Sequence, residues 1–177
     1  MKKIIFLDRD GTVTQPGDHL YKLSDFKLLP GVIEALKILQ KKGYDFIIVT
    51  NQATIGRGLC TEQDYFAFRN HLHAVLKKEN ISILAEYFCP HHPNDNCNCR
   101  KPKTGMLEQA AREFNLDLRA CWMIGDNPSD IQAGKNAGCK TIHVLTGEEK
   151  QPITYADFNA ENLIKAADYI LSKDKNT

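Results

Sequence analysis

The sequence has no long apolar run. Its first stretch, "MKKIIFLDRD", is interrupted at Asp8 after only Ile4–Leu7, far too short for the core of a secretory leader. No other segment approaches the ~20 residues of a membrane-spanning helix. Export and membrane insertion are therefore not expected, and a cytoplasmic protein is. Neither sign of charge dominates: 23 Lys and Arg stand against 22 Asp and Glu, a net charge of +1. The two signs are interspersed, which excludes a basic footprint for nucleic acid and an acidic tail. Internal repeats and low-complexity tracts are also missing. What remains is 177 residues, 42% hydrophobic and 25% charged, enough for one domain over 1–177 with a complete core. A monomer is expected.

Five buried strands are predicted at 2–7, 45–50, 85–89, 121–125 and 140–145, the second and last rich in β-branched residues. Helical patterns lie between them. "GVIEALKILQKKG" carries Ile33, Leu36 and Leu39 on one face and stops at Gly43. "TEQDYFAFRNHLHAVLKKEN" opens on Thr61 with Asp64 three residues on, close to a capping box. "TGMLEQAAREFN" and "SDIQAGKNAG" follow, and a weaker amphipathic segment runs from Ala160 to Leu171, leaving "SKDKNT" as a frayed tail. Strands alternating with helices over short links predict an α/β fold, a doubly wound, three-layer parallel sheet.

Ligands of such sheets bind beyond the carboxyl ends of the strands, near the point where strand order reverses. At that edge the sequence places Asp8 and Asp10 after the first strand, Thr50 and Asn51 after the second, and Asp126 after the fourth. Any one of these is an ordinary turn residue; the three together form a cluster. Carboxylates gathered without compensating cations repel one another. A hard divalent ion, Mg²⁺, removes that repulsion and bridges to phosphate. With the charge screened, Asp8 is a candidate nucleophile toward phosphorus and Asp10 a candidate proton carrier. Gly11 allows close backbone approach.

A second group lies in "CPHHPNDNCNCRKP". With no export signal, the six cysteines point to metal binding or burial before disulfides. Cys89, Cys97 and Cys99 with His91 or His92 offer four soft ligands for tetrahedral Zn²⁺ in a segment too polar to form a core. Four protein ligands make a closed, structural site. Cys60, Cys121 and Cys139 read as packing residues, and His71, His73 and His143 as ordinary surface or core histidines. A zinc-ribbon nucleic-acid module is the rival reading, but the array is single and lacks a basic stripe.

"DRDGT" (8–12), "VTNQ" (49–52), "CRKPK" (99–103) and "GDNPSD" (125–130) resemble, in order and spacing, the four motifs of the haloacid dehalogenase superfamily of phosphatases. The resemblance spans residues 3–147. It implies that Asp8 forms a phosphoenzyme, that Asp10 is the general acid/base, and that Thr50 and Asn51 hold phosphate. It also implies that Lys101 neutralises the nucleophile, and that Mg²⁺ is bound by Asp8, Asp126 and the backbone carbonyl of Asp10. Asp130 reads as a supporting or helix-terminus carboxylate.

The zinc loop is similar to that of two branches of the superfamily, phosphatases of heptose 1,7-bisphosphate and of histidinol phosphate, and the resemblance favours His91 as the ligand. "TNQATIGRGLC" and "CRKPKTGML" look more like the heptose branch; the short "PNDN" looks more like the other. Asn127 stands where both branches often carry a cation. No insertion is large enough for a mobile cap, so loops must restrict access: 15–26, the turn holding Arg57, and the zinc loop ending in Arg100. Arg57 and Arg100 are candidate contacts for a second phosphate, and Asp18 and His19 resemble an Asp-His pair of the heptose enzymes. The reading is thus a capless Mg²⁺-dependent sugar-phosphate phosphatase with structural Zn²⁺, attacking the 7-phosphate of the heptose bisphosphate. Histidinol-phosphate hydrolysis is the alternative among enzymes, and a catalytically idle, zinc-stapled binding protein is the alternative of another class.

Overall fold

The central strand is β1 (Lys3–Leu7). In the computed structural model, residues 2–17 and 22–174 are described; Asp18 and His19 lie outside them. After β1 come α1 (Val32–Lys41), β2 (Tyr44–Asn51), the single turn α2 (Ala53–Gly56), α3 (Glu62–Lys78) and β3 (Ile83–Cys89). The second half holds α4 (Gly105–Phe114), β4 (Trp122–Gly125), α5 (Pro128–Ala137), β5 (Lys140–Val144), β6 (Phe158–Ala160) and α6 (Leu163–Asp174). The sheet order is β3-β2-β1-β4-β5-β6, and every neighbouring pair is parallel. The doubly wound α/β sheet is therefore present.

Alternation along the strands explains the three layers. Ile5, Leu7, Phe46, Ile48, Trp122 and Ile124 face one side, where α1, α3 and α6 pack on them. Ile4, Phe6, Ile47, Val49 and Met123 face the other, against α4 and α5. A strand buried on both faces needs this unbroken apolar run. The run ends together in β1, β2 and β4, at one edge of the sheet.

The helix punctuation follows local chemistry. Thr61 Oγ1 accepts from Asp64 N–H, while the Asp64 carboxylate accepts from Thr61 N–H, the full capping box. α1 gives way to Gly43, and α5 to Gly138, both at positive φ.

Two expectations are corrected. β6 was absent from the five predicted strands, because its three residues are too few to show a period. The tail does not fray at Ser172: α6 continues to Asp174, whose carboxylate is held by Lys3 Nζ at 2.8 Å and by the Tyr44 hydroxyl at 3.0 Å. Among the described residues no helix is long and apolar enough to cross a membrane.

Candidate active site

The chain leaves β1 in a tight turn in which the Arg9 carbonyl accepts from the N–H groups of Val13 and Thr14. Gly11 occupies φ +84°, and a Cβ there would overlap the Asp126 carboxylate. Only glycine meets both conditions. The turn sets Asp8 beside Lys101, which arrives from the segment after the Cys/His loop. Lys101 Nζ lies 2.6 Å from Asp8 Oδ1, 2.6 Å from Asp130 Oδ1 and 2.6 Å from the Val49 carbonyl. With only 3% of Lys101 exposed, burial works against its charge, yet Asp130 and Asp8 outweigh it and raise its pKa.

Asp126 follows β4 directly. Its Oδ2 accepts from Glu148 N–H at 3.0 Å, and its backbone carbonyl is 3.0 Å from Nε2 of the fully buried His143. Asp130 sits in the first turn of α5, where its Oδ2 accepts from Asn127 N–H at 3.1 Å. The Asn127 side chain accepts from Ser129 N–H at 3.0 Å. Asn127 is thus an N-cap, and capping accounts for the residue type found there.

Carboxylate oxygens of Asp8, Asp126 and Asp130 lie within 4.8 Å of one another. Three acids face a single lysine. Burial, with repulsion from Asp130 and Asp126, pushes Asp8 well above the ordinary carboxylate range despite Lys101. Burial and Asp130 push Asp126 up to about 6. This hard-oxygen set, short of positive charge, fits Mg²⁺. The Asp10 side chain is not in the group. Its carboxylate accepts from Arg9 Nε at 2.9 Å, Arg9 Nη2 at 2.7 Å, Thr14 Oγ1 at 2.9 Å and Gln52 Nε2 at 3.0 Å.

A cleft of about 490 Å³ opens over these groups, lined by Asp8, Asp10, Thr50, Asn51, Arg57, Arg100, Lys101 and Asp126. Arg57 ends α2 at the mouth, exposed. Arg100 Nη1 is buried and has no hydrogen-bond partner among the described residues. The Asn51 amide is engaged at both ends with the backbone of Lys101.

The sulfur and nitrogen donors converge outside the cleft. Cys89 Sγ is 3.5 Å from Cys97 Sγ and 3.6 Å from His91 Nδ1; Cys99 Sγ is 3.2 Å from His91 Nδ1 and 3.5 Å from Cys97 Sγ. A tetrahedron with Zn–S near 2.3 Å has S–S edges of about 3.7 Å, so the four groups fit zinc. His92 is turned away, its Nδ1 accepting from Asn94 N–H. Hydrogen bonds from Arg100 N–H and the neighbouring thiols outweigh burial and bring Cys97 down to about 7. Cys121 and Cys139 are buried, as expected of packing residues.

Sequence reasoning missed Arg9, Thr14, Gln52 and Glu148 at this site, and the contact of His143 with Asp126. Arg9 carried a readable signal: an arginine between two carboxylates at the end of a buried strand.

Residues 98–171 match the family model described as HAD-hydrolase-like. A D-glycero-beta-D-manno-heptose-1,7-bisphosphate 7-phosphatase of Pasteurella multocida is 39% identical over 97% of this chain and 92% of its own. The chain belongs to the haloacid-dehalogenase-like phosphatase family. Another relative in that family, a D-glycero-alpha-D-manno-heptose-1,7-bisphosphate 7-phosphatase of Campylobacter jejuni, is 37% identical over 97% of this chain and 98% of its own. Among solved structures, the D,D-heptose 1,7-bisphosphate phosphatase of B. bronchiseptica, complexed with magnesium and phosphate, superposes with a TM-score of 0.90. Its identity is 32%, covering 97% of this chain and 99% of that one. The likeness to these proteins extends over 97% of the chain.

Proposed function

We propose that this phosphatase removes the 7-phosphate of D-glycero-D-manno-heptose 1,7-bisphosphate through a phosphoenzyme on Asp8. The observation that carries the reading is the buried Lys101 bridging Asp8 and Asp130 beneath a cleft that also holds Arg100. Lys101 engages Asp8 Oδ1, which leaves Oδ2 to attack phosphorus. The bond from Asp8 to phosphorus forms as the ester P–O bond breaks, and Asp10 gives the leaving alkoxide its proton. Asp10 then takes a proton from water, whose oxygen displaces Asp8 and releases phosphate. Thr50 and the Asn51 backbone border the transferring group, and Asp8 and Asp126 with the Asp10 carbonyl hold Mg²⁺. When bound, Mg²⁺ screens the carboxylates from the phosphoryl oxygens and stabilises the charge of transfer. Zinc on Cys89, His91, Cys97 and Cys99 is structural.

The second phosphate of the substrate supports the choice among esters. The buried, unpartnered Nη1 of Arg100 and the guanidinium of Arg57 are suited to a dianion. Histidinol phosphate would bring a cation to the same place. A monomer, with its reacting set drawn from one chain, belongs to the same proposal, as does the cytoplasm, where the zinc-binding cysteines and Cys60, Cys121 and Cys139 stay out of disulfides. Side-by-side hydrolysis of both heptose bisphosphate anomers and histidinol phosphate tests the assignment. A heptose preference in kcat/KM of at least about tenfold, ~1.4 kcal/mol of transition-state binding, is expected; a histidinol preference overturns it.

A further inference from the structure

Arg9 stands between Asp8 and Asp10, and only 1% of it is exposed. Burying a guanidinium costs several kcal/mol unless it is paired and hydrogen-bonded. Here two of its nitrogens, Nε and Nη2, donate to the two oxygens of Asp10. On its other side the guanidinium carbon lies 4.6 Å from the Phe68 ring centre and 5.7 Å from that of Tyr65. Behind these rings is Glu86, whose side chain is fully buried. Its Oε1 accepts from the Tyr65 hydroxyl at 2.7 Å, and its Oε2 meets His73 Nε2 at 2.7 Å and Arg69 Nε at 3.8 Å. Burial opposes the charge of Arg9, but Asp10 and then Glu86 sustain it. A buried carboxylate outside the cleft thus adds, at longer range, to the field that keeps Arg9 charged.

The four donors to Asp10 are not equivalent. Oδ1 takes Arg9 Nε and Thr14 Oγ1, both from side chains sealed in the fold. Oδ2 takes Arg9 Nη2 and Gln52 Nε2, and Gln52 lines the cleft and is shared with Thr50 Oγ1 at 2.9 Å. A carboxylate has about four acceptor positions, and among the described residues the one whose donor also lines the cleft, and can give way to a ligand there, is held by Gln52.

We propose that Arg9 is a positioning residue that, with Thr14, fixes the Asp10 carboxylate so that its Oδ2 edge faces the ester oxygen, Gln52 yielding its place to that oxygen. The proposal rests on the acid/base reading of Asp10. In the first half-reaction the Asp8–phosphorus bond forms, the P–O ester bond breaks, and the proton passes from Asp10 Oδ2 to the ester oxygen. An alkyl ester needs that proton. p-Nitrophenyl phosphate does not, because p-nitrophenolate departs as a stable anion.

Single-turnover kinetics with enzyme and Mg²⁺ in excess separate the two. Arg9→Lys keeps the charge and loses the fork. It should slow release of heptose monophosphate from heptose 1,7-bisphosphate by about 100-fold, within the range for general acid catalysis, and release of p-nitrophenolate by less than about fivefold. Thr14→Val keeps the volume and should cost the alkyl ester about tenfold and the aryl ester less than about twofold; it carries the test if Arg9→Lys does not fold. Equal losses on the two esters, or no loss on either, overturn the positioning role. Equal losses on the two esters in Asp10→Asn, or a wild type that forms no phosphoenzyme from either ester, overturn the underlying reading instead.

Discussion

Asn51 and Lys101 are joined at two points. The Asn51 side-chain oxygen accepts from Lys101 N–H and its amide nitrogen donates to the Lys101 carbonyl, each at 3.1 Å. The end of β2 therefore grips the main chain that delivers the lysine to Asp8. A second tie runs nearby, since Gln52 N–H donates to the carbonyl of Cys89 at 2.8 Å. Lys101 lies two residues beyond Cys99, so the Cys/His loop and the reacting carboxylate share one short stretch of backbone.

That connection gives the zinc site a measurable reach. Cys97→Ser should leave the protein with substoichiometric zinc and lower its melting temperature by at least about 5 °C, ~2 kcal/mol for a chain of this length. It should also cut kcat at least about tenfold, because Lys101 loses one of its anchors. Metal analysis, thermal denaturation and steady-state kinetics on the same preparations check all three.

Asp130 is expected to matter more for stability than its distance from the strand ends suggests. Asp130→Ala removes both the cap on Asn127 N–H and a buried partner of Lys101. Lys101 keeps Asp8 as a partner and repulsion among the acids is relieved, so the cost should stay at about 1–3 kcal/mol, the scale of lost buried hydrogen bonds. Urea denaturation should register a loss of that order.

The acid cluster makes Mg²⁺ binding depend on pH. Asp126 is raised from its ordinary value to about 6 in the fold, by burial first and Asp130 second. A carboxyl raised on folding contributes stability below its unfolded value, near 3.8, and that contribution is lost as pH rises through about 6. The metal-free protein should therefore weaken over that interval. Mg²⁺ takes the ionised form, so its stabilising effect should be small near about pH 5 and large by about pH 7.5. Melting curves in Mg²⁺ and in chelator at the two pH values test the sign.

Most of the sheet was legible because its strands are buried on both faces and read as unbroken apolar runs ending at Asp8, Asn51 and Asp126. β6 escaped because Phe158–Ala160 is held by its neighbour β5 and has no pattern of its own. The extension of α6 depended on Asp174 meeting Lys3 and Tyr44, contacts more than a hundred residues apart in sequence. At the site, residue types at strand ends pointed to Asp8, Asp10 and Asp126. The bonds that aim them were not readable. Gln52 reaches Asp10, and Asp130 reaches Lys101, only once three strand ends are brought side by side. Asp18 and His19 fall outside the described residues.

The central claim is that Asp8 becomes covalently phosphorylated during turnover, and rapid acid quenching with heptose 1,7-bisphosphate labelled at the 7-phosphate addresses it most directly. The wild type should carry acid-stable label on the peptide containing Asp8. Asp10→Asn should both gain and lose the label more slowly, because the alkyl leaving group loses its acid and hydrolysis of the intermediate loses its base. Asp8→Asn should carry none and turn nothing over. Label persisting in Asp8→Asn, or none in any form despite active hydrolysis, would contradict the account.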